Sequence, residues 1–280
     1  MRIQTVYLLF LSVFFTGICG CVKTSNEQDK IDAVLWVQTS SEFAAATIAT
    51  YANATTALQR IVADSPTGVD RMAVVMDVDQ TILDSSGYHA QNILDDARHQ
   101  AETLDRYFVL RESAAIPGAV NFIKAGRDLG VYIFFITNRT YRERAGNSGD
   151  CPQKEDTLAN LRQIGAEAGA GALFLKGERV PERCLNFLSD RERQEGRWTA
   201  ADKTSRCQCV ALDHDIVMQI GDQLGDFIGG LRNTTPESRR VLVEQYKENW
   251  GKTWFMIPNP TSGSWLNLLQ PEKRLHPRGT

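Results

Sequence analysis

Residues 72–81, with the one-letter sequence MAVVMDVDQT, decide the fold class of this chain. Five apolar residues follow one another without interruption, and the polar segment after them carries Asp77 and Asp79. An unbroken apolar run of this length is typical of a strand that is buried on both faces of a parallel sheet. We therefore expect a β-strand over residues 72–76, with the two carboxylates at its carboxyl end.

Three further apolar runs end in polar or glycine residues in the same way, and they cover residues 131–136, 172–175 and 216–220. Helix-like stretches flank the runs, at residues 31–62, 119–129 and 155–168. Strands that alternate with helices predict an α/β fold with a doubly wound parallel sheet. In such sheets the site lies at the carboxyl ends of the strands.

The composition excludes several classes of protein. The chain has 280 residues, 42% of them hydrophobic and 23% charged, and its formal net charge is −3. A disordered chain would be less hydrophobic, and a nucleic-acid binder would be strongly basic. We therefore expect a folded domain that has no nucleic-acid polymer as a partner.

The first residues have the pattern of an export signal. Arg2 precedes an apolar run over residues 6–15, which is too short to span a bilayer comfortably, and a small residue then precedes Cys21. This resembles a bacterial lipoprotein signal, with residues 1–20 removed, Cys21 lipidated and residues 21–30 serving as a tether; an ordinary signal peptide is the alternative. We expect a lipid-anchored protein of the bacterial cell envelope, at the outer membrane or periplasmic face.

Four more cysteines lie in the exported part, at positions 151, 184, 207 and 209. An even number of cysteines in an exported chain predicts one or two disulfides, and the pairing stays open. Cys207 and Cys209 are not expected to bond to each other. A zinc site is disfavoured because no histidine lies at ligand spacing nearby.

Residues 31–270 are expected to form the domain, and residues 271–280 a C-terminal tail. Within the domain, residues 85–115 are polar and charged and interrupt the order of strands and helices. They predict a small helical cap over the site. Residues 178–202 are a second charged insertion.

Acidic and hydroxyl residues follow three of the predicted strands. Asp77 and Asp79 can converge on one cation, so that one attacks phosphorus as a nucleophile and the other moves the proton of the leaving group. A hydroxyl and an amide at residues 137–138 can hold a phosphoryl oxygen, and Asp222 and Asp226 lie four residues apart. Each motif could also be a turn or a helix cap, but their common position at strand ends favours a site.

These motifs resemble those of the class C nonspecific acid phosphatases of the haloacid dehalogenase (HAD) superfamily, the bacterial lipoprotein 5′-nucleotidase group. The resemblance covers about residues 34–265. Its specific segments are residues 77–84, 115–120, 221–227 and 257–260. It implies a HAD-like fold, a Mg²⁺ cofactor and hydrolysis of small phosphomonoesters.

The resemblance also implies roles for single residues. Asp77 is the expected nucleophile and metal ligand, Asp79 the general acid and base with its main-chain carbonyl on Mg²⁺, and Asp222 the remaining metal ligand. The expected phosphate-binding residues are Thr137, Asn138 and a lysine.

Two lysines compete for the phosphate-binding role. Lys203 matches the family's Asp-Lys-Ser/Thr stretch and is preferred over Lys176, which follows the third predicted strand. Asp226 is then expected to hold Lys203.

Substrate preference is less sharply defined by the sequence. Tyr107 and Phe108 of the cap are candidates for stacking on a nucleobase. Ser262, however, occupies a position where relatives commonly carry a tyrosine. The sequence therefore favours broad phosphomonoester hydrolysis, with nucleoside 5′-monophosphates as one substrate class. A phosphotransferase and a non-catalytic binding lipoprotein are the alternatives, and an oligomer is compatible with these features.

Overall fold

The computed structural model describes residues 25–66, 68–141, 144 and 151–268. Within these residues the strands form one all-parallel sheet. The strands are β1 (Met72–Met76), β2 (Tyr132–Thr140), β3 (Leu173–Lys176), β4 (Asp215–Gly221) and β5 (Trp254–Met256). Their order across the sheet is β3-β2-β1-β4-β5. This confirms the predicted doubly wound α/β fold.

Helices pack around this sheet. They are α1 (Ser25–Thr39), α2 (Ser41–Ala63), α3 (Ser86–Leu94), α4 (Ala101–Leu110), α5 (Ala119–Asp128), α6 (Pro152–Gln163), α7 (Asp190–Glu195), α8 (Thr204–Val210) and α9 (Pro236–Gln245). The helices α3 and α4 lie within residues 85–115, where the sequence predicts a small cap, and we call this pair of helices the cap. None of the helices in the described part of the chain combines the length and apolar character that crossing a bilayer requires.

Strand β1 is apolar throughout because it has a hydrophobic core on each face. Its alternate side chains Val74 and Met76 pack in one cluster with residues of α2 and α5. Ala73 and Val75 point to the opposite face and pack in a second cluster with Trp198 and residues of α8. This alternation follows from the two-residue period of a strand. It places the end of β1 in the centre of the molecule.

Several predicted boundaries were wrong. The expected helix over residues 31–62 is two helices, because the Ser40 hydroxyl accepts a hydrogen bond from the Phe43 amide and caps α2. Strand β2 continues to Thr140 through pairing with β3, and α6 begins at Pro152 rather than at residue 155. Strand β5 was not predicted, since a strand of three residues gives little periodic signal.

A disulfide joins Cys184 to Cys209 and ties the second insertion to α8. Cys207 is not in the bond, as expected for a residue so close to Cys209. The signal peptide over residues 1–20, the lipidated Cys21 and the tail over residues 271–280 lie outside the described residues.

The sheet order reverses between β1 and β4, since β2 and β3 lie on one side of this pair and β5 on the other. In doubly wound sheets, ligands bind at the carboxyl end of this switch point. Asp77 follows β1 and Asp222 follows β4 at this position. The fold therefore brings together two of the predicted site residues.

Candidate active site

The centre of the site is an ion-pair triad of Asp77, Lys203 and Asp226. Lys203 Nζ donates to Asp77 Oδ1 and lies 2.9 Å from Asp226 Oδ1. The Lys203 side chain is only 2% exposed. Burial lowers the pKa of Lys203, but the Asp226 and Asp77 carboxylates more than offset this, so the pKa lies above its ordinary value. Lys203 is therefore a charged group facing the predicted nucleophile.

The loop after β4 brings in Asp222 and folds Asp226 back beneath it. Asp226 Oδ2 accepts hydrogen bonds from the backbone amides of Asp222 and Gln223, at 3.0 and 2.9 Å. A side chain at Gly221 would collide with Asp226, so glycine is required there. Asp77, Asp222 and Asp226 each offer a carboxylate oxygen, and the three oxygens lie within 4.8 Å of one another. We call these three residues the carboxylate cluster.

The carboxylate cluster has more negative charge than its lysine neutralises. Burial, followed by the neighbouring carboxylates, raises the pKa of Asp222 well above its ordinary value. Burial also raises the pKa of Asp77 to about 6, although Lys203 opposes the shift. Three buried carboxylates and one ammonium leave two negative charges when all are ionised. A set of oxygen ligands with this charge fits a hard divalent cation.

The side chain of Asp79 lies apart from the cluster and pairs with Arg139. Arg139 Nη2 and Nε donate to the two carboxylate oxygens of Asp79, at 2.8 and 2.9 Å. The Asp79 side chain is 25% exposed. It is thus more open to a bound molecule than the carboxylates of the cluster.

Thr137 and Asn138 lie on β2 beside the Lys203 loop. The buried Arg206 donates to the Thr137 carbonyl at 2.6 Å and to Asn138 Oδ1 at 3.0 Å. Asn138 Nδ2 donates in turn to the Ala201 carbonyl at 2.8 Å. The Asn138 side chain therefore joins β2 to the segment that carries Lys203. The Thr137 hydroxyl is buried and accepts a hydrogen bond from the Arg139 amide.

A C-terminal segment after β5 reaches over the site. Asn259 Nδ2 donates to Asp222 Oδ2 at 2.6 Å, while Asn259 Oδ1 accepts from the Thr261 amide at 2.9 Å. Gln80 has a left-handed backbone (φ 58°), and its Nε2 donates to Thr261 Oγ1 at 3.1 Å. The segment thereby orients a predicted metal ligand and closes onto the loop that carries Asp77.

Three other predicted residues, Lys176, Tyr107 and Phe108, are not part of the carboxylate cluster. Lys176 is half-buried, and burial, with the nearby Arg206 and Arg191, lowers its pKa. Tyr107 of the cap accepts a hydrogen bond from the Ser113 hydroxyl and packs against Gly87. Phe108 is buried against the Arg139 guanidinium, whose carbon lies 3.7 Å from the ring centroid.

Three polar residues with a place in this geometry had no assigned role in the sequence analysis: Arg139, Arg206 and Asn259. Arg139 directly follows the predicted Thr-Asn pair, and Asn259 lies in the C-terminal segment that carries part of the family resemblance. Their positions beside these motifs could have identified both residues as part of the site. Arg206 had no such signal, since its role depends on how α8 packs.

Residues 18–265 match the family model of the HAD superfamily, subfamily IIIB (acid phosphatase). The chain belongs to this family. The match spans both the β1 and the β4 segments of the site, and it confirms the resemblance drawn from the sequence motifs. The protein is therefore an acid phosphatase, a phosphomonoester hydrolase with a HAD-like fold.

Solved structures of a class C acid phosphatase have a similar fold. The class C acid phosphatase from Bacillus anthracis superposes with a TM-score of 0.68 at 25% sequence identity, covering 86% of this chain and 88% of that one. The same Bacillus anthracis enzyme with tungstate bound gives a TM-score of 0.69 at 25% identity, with 87% and 89% covered. The likeness thus extends over most of both chains.

Proposed function

We propose that this acid phosphatase is Mg²⁺-dependent and hydrolyses phosphomonoesters through an aspartyl-phosphate on Asp77. The observation that carries the proposal is the position of Asp77 at the carboxyl end of β1. There it contacts the Lys203 ammonium and lies beside the Asp222 carboxylate. A carboxylate held between a cation and a metal ligand has the surroundings that a nucleophile attacking a phosphoryl group needs.

The carboxylate cluster supports the choice of metal. Asp77 and Asp222 would hold Mg²⁺ through their carboxylates and Asp79 through its main-chain carbonyl, since oxygen atoms are the ligands that Mg²⁺ prefers. Bound there, the metal would neutralise charge on the phosphoryl oxygens.

The chain's own groups provide the other parts of the reaction. Lys203 neutralises a phosphoryl oxygen, and the backbone amides of Asp222 and Gln223 hold Asp226, which keeps the ammonium in place. An Asp77 oxygen bonds to phosphorus as the phosphorus–oxygen bond to the alcohol breaks, and Asp79 gives its proton to the departing oxygen. Asp79 then takes a proton from water, which attacks phosphorus and releases phosphate and the free Asp77 carboxylate.

The proposal extends to a broad range of phosphomonoesters, with nucleoside 5′-monophosphates as one substrate class. Tyr107 of the cap is half-buried, which keeps it a candidate for stacking on a nucleobase. Ser262 accepts a hydrogen bond from Asn259 and so supports Asp222 indirectly, instead of offering an aromatic surface. The lipid anchor at Cys21 and the envelope location remain part of the proposal on the sequence pattern alone.

A substrate panel tests the proposal. Purified protein is assayed with p-nitrophenyl phosphate, nucleoside 5′-monophosphates and sugar phosphates, each with Mg²⁺ and with a chelator. We expect phosphate release that the chelator stops and Mg²⁺ restores. Release that is unaffected by the chelator would contradict the metal dependence, and no release from any substrate would contradict the activity itself.

The nucleophile is tested by trapping the intermediate. Acid quenching during turnover should leave phosphate on Asp77, detected by peptide mass spectrometry, and Asp77→Asn should abolish both the adduct and turnover. Asp213→Asn is the control, since this exposed carboxylate pairs with Arg183 at the surface. Phosphate found on another residue, or activity in Asp77→Asn, would remove Asp77 from its role.

A further inference from the structure

The Arg139 side chain contacts residues from three segments that are far apart in the sequence. Its side chain is 1% exposed. Two of its nitrogens donate hydrogen bonds to the Asp79 carboxylate, and the third, Nη1, donates to Thr157 Oγ1 in α6 at 3.1 Å. The Phe108 ring of the cap covers the guanidinium face. Each nitrogen of the guanidinium and one of its faces are therefore in contact with other residues.

The paired geometry fixes the direction of the Asp79 carboxylate. A guanidinium presents its donors in a planar fork that matches both oxygens of a carboxylate, whereas an ammonium acts as a point charge. Asp79 is the most exposed of the four site carboxylates, so fewer neighbours limit its side chain. The fork from Arg139 is the contact that orients it.

We propose that Arg139 is the positioning residue for Asp79, and that Phe108 of the cap holds the Arg139 guanidinium in register. The inference rests on the proposed function, in which Asp79 passes its proton to the leaving oxygen. Arg139 itself does not touch the reacting atoms. It sets the direction in which the Asp79 oxygen meets the alcohol oxygen of the substrate.

The consequence is a dependence on the leaving group. When the phosphorus–oxygen bond of an alkyl phosphate breaks, the oxygen needs the proton from Asp79 to leave as a neutral alcohol. The p-nitrophenolate ion is a weak base and departs without it. General acid catalysis contributes about 10²- to 10⁴-fold, so a misaligned Asp79 should cost a large part of this in the leaving-group step of alkyl phosphates, but not in that of p-nitrophenyl phosphate.

The test compares kcat/KM on an alkyl phosphate and on p-nitrophenyl phosphate for Arg139→Lys, Asp79→Asn and the double variant. The ratio kcat/KM reports the steps up to departure of the leaving group, whereas kcat also includes hydrolysis of the aspartyl-phosphate, in which Asp79 serves both substrates alike. We expect Arg139→Lys to lose about 10- to 100-fold on the alkyl phosphate and far less on p-nitrophenyl phosphate. Asp79→Asn should show the same split, and the double variant should be no slower than Asp79→Asn because both changes remove one function.

The matched control is Arg144→Lys. Arg144 also donates two hydrogen bonds to one carboxylate, that of Asp105 in the cap. Its Nε lies 2.9 Å from Asp105 Oδ2 and its Nη2 lies 2.7 Å from Asp105 Oδ1. A loss that follows only from weakening the cap would appear in this variant and on both substrates. We expect Arg144→Lys to show no leaving-group dependence.

Phe108→Leu tests the same idea without changing any charge, should Arg139→Lys fold poorly. It should lower kcat/KM on the alkyl phosphate far more than on p-nitrophenyl phosphate, whereas a lost stacking contact would lower it more on p-nitrophenyl phosphate, the substrate with an aromatic ring. Equal losses on both substrates in folded Arg139→Lys or Phe108→Leu would overturn the inference. An Asp79→Asn variant without the split would instead overturn the proposed role of Asp79, and the inference with it.

Discussion

Replacing Lys203 with methionine tests whether one buried ammonium keeps the carboxylate cluster stable. The Lys203 side chain is 2% exposed and pairs with both Asp77 and Asp226. Methionine occupies a similar volume without charge, so two buried carboxylates lose their cation. Removing one partner of a buried ion pair costs about 3–5 kcal/mol. We expect the free energy of unfolding of the metal-free protein near neutral pH to fall by this amount.

Calorimetry in the presence of a chelator measures the stability change. A loss of this size corresponds to a Tm lower by roughly 6–20 °C in a domain of this size. Added Mg²⁺ should narrow the gap, because the cation restores positive charge beside Asp77 and Asp222. With Mg²⁺ and p-nitrophenyl phosphate, kcat should fall by about 10²- to 10³-fold, the usual effect of losing one donor to transition-state charge.

Two other lysines serve as controls. Lys252 pairs with Glu248 at the surface, with the side chains 65% and 77% exposed, so Lys252→Met should change stability by only about 0–1 kcal/mol. Lys176→Met tests the rival phosphate-site lysine and should leave kcat near that of the wild type. If Lys203→Met kept its stability and activity while Lys176→Met lost both, the reasoning about the cluster would be refuted.

Three further changes probe the site and its support. Burial raises the folded-state pKa of Asp77 to about 6. The preference of the folded protein for the protonated Asp77 carboxyl stabilises the fold below the ordinary pKa of this group, and this contribution is lost as the pH rises through about 6. In chelator near neutral pH, Asp77→Asn should therefore be more stable than the wild type, by on the order of 3 kcal/mol, and in acid the difference should vanish; thermal melts at both pH values check this. Cys184→Ser opens the bond to Cys209, 25 residues away, and should lower the free energy of unfolding by about 3.5 kcal/mol in denaturant titrations. Asn259→Ala releases one oxygen of Asp222 and should weaken Mg²⁺ binding by about 10- to 100-fold in calorimetric titration.

Each of these three predictions can be contradicted by a specific result or checked with a second variant. An Asp77→Asn variant less stable than the wild type near neutral pH would show that burial of the charge is not costly. Reduction of the wild-type protein should reproduce the effect of Cys184→Ser, and an unchanged midpoint would contradict the disulfide. Ser262→Ala removes only the hydroxyl that contacts Asn259 and should weaken Mg²⁺ binding less than Asn259→Ala does.

The sequence predicts the centre of the fold better than its edges. Strand β1 is buried on both faces, so its apolar run coincides with the whole strand. Strand β2 ends in polar residues, and its last part is held by pairing of Thr140 with Lys176, which no local pattern reveals. The break at Ser40 was missed although residues 38–42 are all polar and interrupt the apolar spacing there.

The same distinction applies to the site. Asp77 and Asp222 come directly after buried strands, so the sheet topology alone places them at one edge. Asn259 and Arg206 reach the site from a C-terminal segment and a helix whose docking depends on the whole tertiary structure. Charge and spacing along the chain therefore predict the carboxylates at the strand ends but not the residues that orient them.

The bond between Gln80 and Thr261 spans 181 positions and joins the loop after the first strand to the last described part of the chain. A ribosome must therefore synthesise nearly the entire domain before Asn259 can take its place on Asp222. Until then the nascent polypeptide lacks the contact that orients the Asp222 carboxylate.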